Sequence, residues 1–211
     1  MNTTLFGDEV ASVLPSILVM YGCLQNRKDA DACALPGGSV ENSYPVEIGV
    51  MRSDGDAFCA LIQPCQHWKQ LPETASNVHY ISPGLIHRHG MTVEAVAEGL
   101  NRRFSGLTLY SEQLDQHTTW LDMIFDAADI RREFDIVDLA SMLTTRQKDI
   151  WPATAKRVRQ MLGFTRQRAS SDARILQTTF HWTLNNEAFH SDRPALSRVV
   201  APRKTFNQGV A

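Results

Sequence analysis

Long apolar runs, cysteine pairs, repeats and an excess of one charge are all missing from this chain. The longest apolar stretch, Val13 to Cys23, is broken by Pro15 and falls short of the roughly 20 residues that a membrane-spanning helix needs. Its four cysteines, Cys23, Cys33, Cys59 and Cys65, make no C-x-x-C pair, which argues against a zinc site. No signal-peptide pattern is read, so the thiols are expected to be reduced in a cytosolic protein, with no membrane partner. Net charge is only −2, so no global field draws nucleic acid. Local clusters would have to do so: Arg102/Arg103, Arg157/Arg159 or Arg166/Arg168/Arg174.

What is present suits one globular domain. At 211 residues, with 43% hydrophobic and 21% charged residues, the chain is long enough to bury a core and too apolar for disorder. Ser16 to Cys23 is a short apolar strand candidate. Ser43 to Pro64 follows the pattern of a hairpin. Val46, Ile48 and Val50 alternate with Glu47 and Gly49, as in a strand with one buried face, and Ser53-Asp54-Gly55-Asp56 makes the turn. Ala57 to Ile62 returns as the second strand. Further on, the spacing predicts a helix from Thr92 to Phe104, a strand over Leu107 to Glu112 and a helix over His117 to Ala128. A strand over Phe134 to Leu139 and helices over Trp151 to Leu162 and Ser170 to Thr183 complete the order. Strands in a meander followed by alternating helices predict an α/β domain with a mixed central sheet of about five strands.

Three segments carry a family resemblance. Ser43-Tyr-Pro-Val-Glu-Ile-Gly-Val50, ending at Leu61-Ile-Gln-Pro64, is similar to the hairpin of DEDD-type 3′–5′ exonucleases, the RNase T and proofreading-exonuclease group. Tyr110-Ser-Glu112 with Trp120-Leu121 resembles that family's second motif, and Arg166 to Ala173 its third. The resemblance implies an RNase H-like, three-layer fold over residues 16–180, with a lead-in at 1–15 and an extension at 181–211. It also implies hydrolysis of single-stranded nucleic acid from a 3′ end, with Mg²⁺ or Mn²⁺ as cofactor if the chain is active. Such chemistry needs carboxylates converging on two hard cations and a nearby His as general base.

At those positions the chain departs from the family pattern. Asp172 matches the metal-binding Asp of the third motif, while Gln167 stands where the base should be, and an amide accepts no proton at neutral pH. His117 stands at the metal Asp of the second motif, with Asp115 two residues away as a substitute. The first motif aligns either on Tyr21/Cys23, leaving no carboxylate, or on Asp29/Asp31. His79, Tyr80, Arg166 and Arg168 are the positions the resemblance assigns to substrate. Plainer readings stand beside these: Asp172 as a helix N-terminal charge, Asp29 and Asp31 as a solvated loop pair, and His79, His87 and His89 as scattered loop histidines. Asp172 is expected within reach of the end of the first strand and of Glu112 to His117.

Three functions follow: an exonuclease-like protein that binds a 3′ end with weak or lost hydrolysis, an active exonuclease, or a non-catalytic interaction subunit. The Pro-interrupted, basic extension at 181–211 reads as a wrapping tail or a segment for a protein partner or homodimer.

Overall fold

The apolar run after Pro15 becomes a strand because branched side chains pack on both of its faces. In the computed structural model, which describes residues 14–24, 43–65, 68, 81–164 and 167–185, this is β1, Ser16–Leu24. β2 is Ser43–Met51 and β3 is Ala57–Leu61, joined through Gly55 at φ 86°, a left-handed conformation that costs glycine little. The segments 1–13, 25–42 and 186–211, with Asp29, Asp31, His79, Tyr80 and Arg166, lie outside the described residues.

Five strands form one mixed sheet in the order β3-β2-β1-β4-β5, where β4 is Thr108–Ser111 and β5 is Asp135–Asp138. β1 to β3 are antiparallel neighbours, whereas β4 pairs parallel with β1, and β5 parallel with β4. Five helices are described, α1 Pro83–His89, α2 Val93–Phe104, α3 Leu114–Ala128, α4 Thr145–Leu162 and α5 Ala169–Asn185. The fold is therefore α/β, with a mixed five-stranded sheet flanked by helices. None of the described helices is long and apolar enough to cross a membrane.

Each face of the sheet has its own core. Leu18, Met20, Ile48 and Val50 meet Val96, Leu100 and Phe104 of α2 and Trp120, Leu121 and Ile124 of α3. On the opposite face Ile17, Val19 and Met51 meet Ala169, Ala173, Leu176 and Phe180 of α5. α4 stacks on α5 rather than on the sheet, and Gln147 Nε2 bonds Thr183 Oγ1 at 3.2 Å to join them.

Of four departures from the sequence expectation, three have a direct physical cause. β2 is buried along its whole length, not on one face, because α5 covers the face that carries Glu47 and Gly49. α4 starts at Thr145, six residues before the expected Trp151. A capping box at Thr144 and Gln147 starts it, and Pro152 lies inside the helix rather than at its first turn. α1 was not expected, although Ser82 at the N-cap followed by Pro83 is its signature: the Ser82 hydroxyl accepts from Leu85 N at 3.1 Å. α5 also runs on to Asn185, through the expected boundary at residue 180.

Candidate functional site

Tyr21, Glu47 and Gly49 share the sheet face under α5, since Tyr21 pairs with Glu47 in the β1–β2 register and Gly49 lies two residues on. Glu47 is 1% exposed, and its two oxygens hold the start of α5: Arg168 Nε donates to Oε1 at 2.6 Å and Ala169 N to Oε2 at 3.1 Å. Burial raises the Glu47 carboxyl above its usual range, against the Ala169 amide and the Arg168 guanidinium. Gly49 allows the α5 backbone to approach at Ala169 and Ser170. The S-Y-P-V-E-I-G-V segment thus works as a seat for α5.

With α5 seated, Asp172 reaches β1. The Tyr21 hydroxyl donates to Asp172 Oδ2. Burial raises the Tyr21 phenol well above its normal value, and the hydrogen bond and charge of Asp172 raise it further. The phenol therefore stays protonated at neutral pH and acts as a donor. Glu112, just beyond β4, accepts from Trp151 Nε1 at 2.9 Å. Burial raises its carboxyl. Trp151 and Arg159 oppose this, while Asp172 and Asp138 add to it, though Glu112 is solvent-exposed and water screens these charges. Asp172 so lies close enough to the end of β1 to bond it, and close enough to Glu112 to act on its charge.

His117 belongs to the core. It is 2% exposed, its Nε2 accepts from Met20 N at 3.2 Å, and its Nδ1 lies 2.6 Å from Ser111 Oγ. An accepting Nε2 places the ring proton on Nδ1, donating to Ser111. Burial lowers the ring to about 4, so it is neutral near pH 7. Both nitrogens are in use, so the position expected to bind metal instead ties α3 to β1. Trp120, one turn later, ties α3 to β2: Nε1 donates to Ser43 Oγ at 3.0 Å, while the ring packs on β1 in the space left by Gly22.

The other expected residues are spread out. Asp115 is exposed in the first turn of α3, Gln167 is exposed before α5, and Arg168 is engaged with Glu47 rather than turned to a substrate. Among the described residues no three His, Cys, Asp or Glu side chains converge as a metal ion would require. With a protonated phenol as the β1 partner of Asp172, those residues do not fit a Mg²⁺ or Mn²⁺ centre. Sequence reading missed Glu47 as a buried anchor and Trp151 and Arg159 as neighbours of Glu112. An acid between Val46 and Ile48 reads as solvent-facing, and nothing local says that α5 will cover it.

No protein-family model matches this chain, and no curated protein matches it either.

Proposed function

We propose that the chain is an exonuclease-like protein on an RNase H-like scaffold that binds single-stranded nucleic acid ends without hydrolysing them at an ordinary rate. The observation that carries this reading is the Tyr21–Asp172 hydrogen bond. Motifs distant in sequence meet at the carboxyl end of β1, as such a nuclease needs. Yet the strand contributes a phenol that satisfies Asp172 with a proton, in place of a carboxylate that would share a cation with it. Gln167, exposed and unable to take a proton, adds a second departure. Lys156, Arg157 and Arg159 on α4 supply local positive charge that the net charge of −2 does not.

The test is a paired assay on the full chain with 3′-labelled single-stranded DNA and RNA in Mn²⁺. Saturable binding that weakens with added salt, without cleavage, is the expected outcome. Degradation from the 3′ end at ordinary exonuclease rates would overturn the loss of hydrolysis. Absence of binding would favour the interaction-subunit reading. Tyr21→Asp combined with Gln167→His should gain Mn²⁺-dependent cleavage, on the order of 10²-fold over the unmodified chain, since general-base catalysis contributes that much or more. Cleavage is the readout because base and ligands act as a unit.

A further inference from the structure

An open cavity of about 390 Å³ lies beyond the carboxyl ends of the parallel strands β4 and β5. Ligands of open α/β sheets bind outside this edge, and the volume falls in the roughly 300–1,000 Å³ range of small-molecule sites. Glu112 and Asp138 stand on its wall as the sheet ends, Leu139 and Leu143 follow β5, and Lys148 and Trp151 face in from α4.

The lining has a definite chemistry. Glu112 Oε1 accepts from Trp151 Nε1 and Asp138 Oδ1 from Ala140 N, both at 2.9 Å. The second oxygen of each carboxylate has no donor among the described residues. The two acids also repel: Asp138, like Asp172, is among the charges that raise the Glu112 carboxyl, with Arg159 opposing them. Lys148 forms no ion pair with the described acids. Leu139, Leu143, Ala140, Pro152 and the indole make the rest of the wall apolar, apart from the Gln113 amide. A hard divalent cation would want six or more oxygens, and this lining is too apolar to supply them. A phosphate or carboxylate ligand would meet two like charges against the single ammonium of Lys148. An organic cation offers N–H donors to both free oxygens, relieves their repulsion and lays its stem on the leucines and Trp151.

We propose that this cavity binds a small organic cation, a guanidinium or ammonium group on a short apolar stem, held between Glu112 and Asp138. Neither Tyr21 nor Asp172 lines the cavity, although Asp172 acts on the charge of Glu112, and binding of the cation does not require nucleic acid. The test titrates the full chain with n-butylguanidinium at low ionic strength, following heat and tryptophan emission, with n-butanol as the uncharged control. Saturable binding of the cation and none of the alcohol is expected. Glu112→Gln keeps an oxygen for the Trp151 N–H and so leaves the wall in place, and it should weaken binding about tenfold or more. Lys148→Gln removes a like charge and should tighten binding about threefold. The proposal is overturned if the cation does not saturate, if butanol binds as well, or if Glu112→Gln, with melting temperature unchanged, binds the cation as tightly as the natural chain.

Discussion

Gly49→Ala should destabilise the protein by about 3 kcal/mol or more, at the upper end of what overpacking costs. The added Cβ would stand 2.7 Å from Ser170 Cα and nearer still to Ser170 N and Ala169 C. Those are backbone atoms of α5, so no rotamer change makes room, and the helix itself must lift. Lifting it stretches the Ala169 N–Glu47 Oε2 bond and the Arg168–Glu47 pair, leaving a carboxylate buried with weakened partners. It also parts Ala173, Leu176 and Phe180 from Ile17 and Val19. Gly84, with open space at its Cβ, is the control, and Gly84→Ala should change stability by no more than ~0.5 kcal/mol. Urea unfolding of both variants checks this. A Gly49→Ala protein as stable as the Gly84→Ala one would mean that α5 does not seat on β2 as described.

Acidification below pH 6.5 should remove about 3 kcal/mol of stability through His117 alone. Its folded-state value near 4 lies below the ordinary 6.5, so the unfolded chain takes up a proton more readily than the folded one. The sign follows from that: the contribution is complete above pH 6.5 and is lost as pH falls toward 4. A gap of that size corresponds to about 3 kcal/mol at roughly 1.4 kcal/mol per pH unit. Glu47 and Glu112 act in the opposite sense. Their raised carboxyls make stability grow as pH falls through their folded-state values toward the ordinary glutamate value. Comparison with His117→Gln separates the effects, because that side chain can still accept from Met20 N and donate to Ser111, yet does not titrate. The stability difference between the natural chain and the variant should shrink by about 3 kcal/mol from pH 6.5 to pH 4. A difference that stays flat across this window would place the ring in water rather than in the core. By the same reasoning His117→Asp should unfold the chain rather than restore a metal ligand, since it buries an acid where a neutral ring made two bonds.

Local patterns were legible where the cause was local. Thr92 caps α2 as its position suggested, accepting from Ala95 N at 3.3 Å, and the hairpin turns at Gly55. Over the helix expected from His117 to Ala128, Trp120, Leu121, Ile124 and Phe125 fall at helical spacing on one face, and all four are buried. The expected start at Trp151 was six residues late: α4 already runs through Pro152, at the loss of the bond that residue 152 would make to the Lys148 carbonyl. The length of α4 depended instead on the Thr144–Gln147 box at its true beginning.

The site divides along the same line. Residue order alone determined that an Asp would open α5 after a basic stretch and that Tyr21 would lie near the end of a buried strand. It also determined that an amide would stand at position 167. Only the tertiary structure decided that the Tyr21 phenol would spend its proton on Asp172, and that Glu47 would be a buried anchor instead of a surface acid. It likewise decided that both nitrogens of His117 would be used inside the core. The physical reason is that hydrophobic periodicity records how each element meets water, which is a local property. The ionisation and bonding of a polar side chain depend on which distant element covers it. Here that element is α5, whose first turn comes 122 residues after the Glu47 it rests on.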